Sequence, residues 1–208
     1  KGLTMARHVS LPLRQVHLDF HTSPYIPDLF SEFDAETFAD TMQRAHVNSV
    51  TIFAKCHHGM SYFPTALGTA HPALNGRDAV AEMITALHAR GIQAPIYTTM
   101  VWEEKLAHVH PEWRQMKRDG TYARLEPAAP GFINPDKWTF LCFNNPEYGD
   151  YLEKHIREIA TRYQVDGVFM DIVFMHNDGC FCDTCTELRR QHGWLEHTRE
   201  HHWKFEKW

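Results

Sequence analysis

A chain of 208 residues suits one domain with a sizeable core, and 43% apolar against 23% charged residues excludes a disordered segment. A formal charge of -5 without any basic stretch excludes nucleic acid as a main partner, and no apolar run reaches the about 18 residues of a membrane span. Five cysteines, an odd number, do not make a disulfide scaffold, and KGLTMARHVS lacks the apolar core of a secretory signal, so a cytoplasmic location is expected.

Residues 1–13 read as an N-terminal extension. VHLDFH (16–21) alternates apolar and polar residues, as a short strand does. DAETFADTMQRAHV (34–47) carries apolar residues at helical spacing behind Asp34, a suitable N-cap. NSVTIFAK (48–55) reads as a second strand, and RDAVAEMITALHARG (77–91) as a second helix stopped by Gly91. IQAPIYTTMVW (92–102) is the third strand, and 103–143, rich in Pro, Gly and aromatics, is a long loop. NPEYGDYLEKHIREIATRYQ (145–164) is a third helix with Pro146 in its first turn, VDGVFMDIVF (165–174) a fourth strand, and TELRRQHG (186–193) starts a fourth helix.

Strand and helix thus alternate four times, the pattern of a parallel sheet with right-handed crossovers. No Gly-x-Gly-x-x-Gly follows the first strand, which argues against a dinucleotide fold. The long third loop and the chemically loaded strand ends favour an α/β fold of the (β/α)8 TIM-barrel type. A complete barrel takes roughly 250 residues. The chain is therefore expected to be a single domain covering about the first half of one, partnered by the remainder of the barrel or by a second copy in a homo-oligomer.

Barrels build their sites at the C-terminal ends of the strands. Those positions hold Asp19 and His21, then Cys56, His57 and His58, then Tyr97, Trp102 and Glu103, and last Asp171, His176, Asn177 and Asp178. Asp171 interrupts the apolar strand VFMDIVF, where an unpaired buried carboxylate would be costly, so it needs either capping by backbone N–H groups or a chemical task. Of His57 and His58, one could simply hold its loop, and His17 could be a satisfied core histidine. CFCDTC brings Cys180, Cys182 and Cys185 into a C-x-C-x-x-C spacing. With a fourth ligand from Cys142, His176 or His192 they could hold a structural zinc ion; otherwise they are free thiols packing a loop.

AKCHHGMSYFPT (54–65) resembles the strand-2 motif of alpha-L-fucosidases, AKHHDGF in type. Together HLDFHTSPYIP, HPEW (110–113), LCFNNPEYGDYL, VDGVFMDIVF and CFCDTC resemble the hypothetical glycosyl hydrolase 6 family, over roughly residues 14–190. The resemblance implies a fucosidase-like barrel and a retaining glycoside hydrolase, an exo-glycosidase acting on a fucose- or galactose-like sugar. It makes Asp171 the nucleophile and the strand-2 histidines ligands of sugar hydroxyls. Aligned on Lys55 and Gly59, Cys56 stands where the family's first histidine stands, His57 matches the second, and His58 replaces an aspartate. Asp19 and His21 would line the same pocket, with Tyr97 or Trp102 stacking on a sugar face. No cofactor is required for such catalysis. The general acid is expected outside these residues, with Glu103 and Asp178 the only nearby substitutes. Two other readings stand beside this one. His17-x-Asp19-x-His21, joined by His57 or His58, could be the ligand set of a metal-dependent, amidohydrolase-like barrel. A barrel lacking its acid would be a non-catalytic sugar-binding module.

Overall fold

The computed structural model describes residues 11–125, 138–176 and 179–194. Its strands and helices are β1 (Gln15–His17), α1 (Ala35–Arg44), β2 (Ser49–Lys55), β3 (Met60–Ser61), β4 (Thr69–Ala70), α2 (Ala79–His88), β5 (Ile96–Thr99), α3 (Glu104–Val109), β6 (Arg124–Leu125), β7 (Trp138–Thr139), α4 (Pro146–Arg162), β8 (Val168–Asp171) and α5 (Asp183–Gln191). The helix signals act as their chemistry requires. Asp34 accepts from the Thr37 N–H at 2.7 Å and caps α1, Asn145 caps α4 ahead of Pro146, and Gly91 takes the left-handed conformation (φ 67°) that ends the α2 segment.

The fold is mixed α/β with a parallel-rich sheet. β1, β2, β5 and β8 lie side by side in chain order, all parallel, with Val16 opposite Val50, Phe53 opposite Tyr97, and Tyr97 opposite Phe169. β3 turns back antiparallel on the end of β2 and pairs with β4. Strand alternation then sorts side chains to two faces. Val50, Ile52 and Ala54 enter the main core with Ala39 of α1 and with Val80, Met83, Ile84 and Leu87 of α2. Phe53, Tyr97 and Phe169 project from the other face, where His17 of β1 meets all three rings at centroid distances of 5.4, 5.8 and 5.4 Å. Four flat strands would put β1 and β8 about 14 Å apart at ordinary spacing. The contact between His17 and Phe169 therefore requires a curled sheet, concave on this side.

Several expectations are revised. The third strand pairs as regular β structure only over Ile96–Thr99, because Pro95 has no N–H to give the ladder; its carbonyl still accepts from Ile52 at 3.0 Å. The segment 103–143 is not one loop: it holds α3, β6 and β7, with 126–137 outside the described residues. α5 starts at Asp183, inside the cysteine run rather than after it. Asp171 is half-buried, not buried, because β8 is an edge of the sheet and leaves Phe169 and Met170 47% and 53% exposed.

Candidate active site at the concave face

A bulge in β2 determines which side chains reach the site. Phe53 pairs with Tyr97 and Lys55 with Thr98, so Ala54 is an extra residue without a partner. In a regular strand Lys55 would share the face of Phe53. The bulge turns it to the helix side, where its Nζ lies 3.3 Å from the Tyr151 hydroxyl of α4. Thr98 faces the same way and meets His155 of α4 at 2.9 Å. Lys55 is fully enclosed; burial works against its charge, but attraction by Tyr151 and Glu103 outweighs this and raises its pKa.

Past the bulge, β2 delivers His57 to the concave side. Its Nδ1 lies 2.8 Å from Nδ1 of His21, and its Nε2 accepts from the Trp138 indole at 2.9 Å. Indole N–H can only donate, so the proton of His57 must be on Nδ1, which donates to His21. His21 then carries its proton on Nε2, 3.0 Å from Asp19 Oδ1. A directed chain thus runs from Trp138 through His57 and His21 to Asp19. Burial, reinforced by His58 and His21, pushes the pKa of His57 down to about 3, so the ring is neutral. Burial also lowers that of His21, with Asp19 opposing.

Asp171 ends β8 beside this chain. Its Oδ2 accepts from the Tyr97 hydroxyl at 2.9 Å, and the Tyr97 ring lies 5.9 Å edge-on from that of His21. Burial, then the hydrogen bond to Asp171, raises the Tyr97 pKa, which keeps it a donor. The next residue, Ile172, has φ 58°, a conformation a β-branched side chain rarely accepts, so the strand ends sharply behind the carboxylate.

Most strand-end candidates therefore meet: Asp19, His21, His57, Tyr97 and Asp171 form one connected group. His58 flanks it, 4.2 Å from the His57 ring. Trp102 stacks on Trp138 at 4.5 Å, and its indole nitrogen is buried without a partner among the described residues. Tyr97 does not offer a face for stacking: it is 1% exposed, with Phe53 stacked 3.7 Å away on one side and Phe169 on the other. Cys56 does not wall the site; it is fully buried near the carbonyl of Thr22 and the Tyr62 hydroxyl, and burial raises its pKa. Glu103 is also excluded from the concave side. It caps α3 through Leu106 N–H, lies against Gly59, and burial raises its pKa against the attraction of Lys55. Asn177 and Asp178 lie outside the described residues. Trp138 was missed in the sequence because it sits in the supposed loop, 81 residues from the histidine it contacts. Its signal was the apolar run WTFLCF.

A metal set built on His17, Asp19 and His21 does not form: His17 is engaged with aromatic rings, and the one cluster of suitable ligands among the described residues is Cys142, Cys180, Cys182 and Cys185. No helix among those residues is long and apolar enough to cross a membrane.

Comparison with known proteins fits this geometry. Residues 34–172 match the family described as hypothetical glycosyl hydrolase 6. Among solved structures, the chain is similar to alpha-L-fucosidase isoenzyme 2 from Paenibacillus thiaminolyticus, with 37% identity and a TM-score of 0.76, over 92% of this chain but 28% of that one. It also shares its fold with a hypothetical protein from Ruminiclostridium thermocellum (18% identity, TM-score 0.54, 72% of this chain and 75% of that one). The same holds for Thermotoga maritima alpha-fucosidase (20% identity, TM-score 0.50, 71% and 31%). No curated protein matches the chain. The chain thus spans under a third of the length of the fucosidase it matches at 37% identity. With two thirds of its residues inside the matched region, the chain belongs to the hypothetical glycosyl hydrolase 6 family.

Proposed function

We propose that this chain is the first half of a (β/α)8 barrel of a retaining exo-glycosidase of fucosidase- or galactosidase-like specificity, with Asp171 as its nucleophile. The observation that carries this reading is the Asp171 carboxylate at the end of the fourth parallel strand. Its Oδ2 is held by Tyr97 at 2.9 Å, on the same concave face as the His21–His57 pair. A nucleophile at an anomeric carbon needs one aimed oxygen, and a single hydrogen bond to the other oxygen aims it without capping both. Asp19, oriented by His21, together with His58 and the Trp102–Trp138 pair, supplies hydrogen-bonding groups and an aromatic surface of the kind a pyranose ring requires. The curl of the sheet supports the barrel, and so do the apolar residues left on its last strand and just beyond: Phe169, Met170, Val173 and Phe174 are 45 to 59% exposed. Parallel strands are ordinarily covered on both faces.

The second carboxyl of a retaining site stands about 5–5.5 Å from the first. Glu103 cannot serve, since it points away beneath Gly59, so the acid is assigned to the part of the barrel that follows β8. The test uses the full-length protein and an activated 2-deoxy-2-fluoro glycoside, which arrests a retaining enzyme as its glycosyl ester. Peptide mapping should find the label on Asp171, and Asp171→Asn should abolish turnover of aryl glycosides while leaving sugar binding largely intact. Label on another carboxylate, or a variant with most of the original rate, refutes the assignment.

A further inference from the structure

The four cysteines gathered behind the site are spaced as a metal shell. Cys142 precedes α4, whereas Cys180, Cys182 and Cys185 lie between β8 and the first turn of α5. Their sulfurs all lie within 4.8 Å of one another, with Cys142 3.4 Å from Cys185 and 3.8 Å from Cys182. Tetrahedral zinc with Zn–S bonds of about 2.3 Å separates its sulfurs by about 3.8 Å, so the distances observed are those of an assembled ligand set. They are much longer than the about 2.05 Å of a disulfide. Four thiols of one chain converging on a common centre are not needed to fill an apolar gap, which a leucine would fill at lower chemical risk.

We propose that Cys142, Cys180, Cys182 and Cys185 bind one structural Zn²⁺ ion. Binding takes Zn²⁺ and four thiols to a tetrathiolate of net charge -2 and releases four protons to solvent. No redox step is involved. The surroundings suit that charge. The Asn144 amide nitrogen lies 3.5 Å from the Cys185 sulfur, positioned to donate to it. Arg189, 6% exposed, donates to the Cys180 carbonyl, which brings a buried guanidinium to the backbone of the cluster. Three of the four cysteines are buried and Cys182 is half-buried, so the shell is closed and leaves no position for a substrate. Its task is mechanical. The chain leaves Asp171 through the strained Ile172 and returns at Cys180; the ion fastens that return to the segment entering α4. The link fixes the backbone behind the proposed nucleophile without touching it. Neither His176 nor His192 joins the cluster; the backbone N–H of His176 is bound to Gln115 and the His192 ring stacks on Trp194.

The test is made on the full chain under reducing conditions, after chelator washing to remove metal from surface histidines. One equivalent of zinc should stay with the protein, be released stoichiometrically when the thiols are titrated with a mercurial, and be replaceable by Co²⁺. The cobalt form should show the intense thiolate-to-metal charge-transfer and visible bands of a tetrahedral four-sulfur site. Cys142→Ser should weaken binding and shift that spectrum. If this variant does not fold, the wild-type cobalt spectrum alone decides. A folded, reduced protein that takes up no zinc or cobalt overturns the proposal. So does a cobalt spectrum without sulfur ligation, or purified protein whose Cys142 and Cys185 form a disulfide. The measurements read metal and thiols only, so they stand whether or not Asp171 proves to be the nucleophile.

Discussion

Gly59 should be irreplaceable, and the reason can be worked from distances. It turns the chain after His57 and His58 with φ 84°. A Cβ placed there would lie 1.8 Å from Glu103 Oε1 and 2.4 Å from Lys105 Cβ. Gly76 provides the control, since it has nearly the same φ (83°) but nothing within 4 Å of the place a Cβ would occupy. Gly76→Ala therefore meets only the left-handed backbone cost of about 1–2 kcal/mol, lessened by the roughly 0.4–1 kcal/mol that alanine gains by restricting the unfolded chain. Gly59→Ala must also displace the Glu103 carboxylate, which breaks its cap on Leu106 N–H, a loss of about 0.5–2 kcal/mol, and moves a buried charge off its position near Lys55. The expected loss is roughly 2–4 kcal/mol, against about 1 kcal/mol or less for Gly76→Ala. Urea unfolding of the two variants and the parent measures the difference. The Glu103→Ala change, made alone and with Gly59→Ala, should show favourable but partial coupling, since removing the Glu103 side chain removes the nearer of the two obstacles the new methyl group meets and leaves Lys105 Cβ in place. If Gly59→Ala costs no more than Gly76→Ala, the contact is not real and the reasoning fails.

Two further outcomes concern the histidine chain. Nitrogen NMR should find His57 protonated on Nδ1 and His21 on Nε2, and Trp138→Phe, which deletes the indole donor, should allow His57 to take the other tautomer; an Nε2–H ring in the parent protein rules out the order of donors described above. Acid should destabilise the chain: His57 is held near a pKa of about 3 and burial sets His155 well below the usual 6.5, so between those values the unfolded chain binds more protons and stability falls as pH falls. For His57 alone the loss approaches roughly 3 kcal/mol by pH 4, and a His57 ring that titrates near 6.5 in the folded protein contradicts it.

What was legible in the sequence was whatever depends on neighbours along the chain. Asp34, Asn145, Pro146 and Gly91 act within a turn of their positions, so α1, α2 and α4 emerged within a few residues of their observed ends. That the four strands run parallel followed from alternation, while their chain order followed only with the expectation of a barrel. What depends on pairing was hidden. The Ala54 bulge exists only as a mismatch between β2 and β5, so Lys55 looked like the end of a strand and not like a charge turned to α4. Asp171 looked enclosed because its neighbours in sequence are apolar, yet burial is set by a strand on the far side of β8, and none of the described residues supplies one. The cysteine run announced three candidate ligands at short spacing; a fourth, Cys142, stood as one of three candidates until the fold brought its sulfur to the others.

The bulge also explains how a chain of such ordinary strands can carry a polar site. Without Ala54 as an extra residue, the alternation of β2 would send Lys55 into the concave face beside Tyr97 and Asp171. An ammonium there would pair with the Asp171 carboxylate and compete with any approach to it. With the bulge, that positive charge is placed behind the sheet with Glu103 and Tyr151, and the concave face receives neutral imidazoles and a phenol in its place. Asp171 is then left with one neutral donor, Tyr97, among the described residues, the arrangement that leaves a carboxylate both oriented and available. One inserted residue thus decides both where the Lys55 charge is enclosed, behind the strand beside Tyr151, and which side chains face the concave side in front.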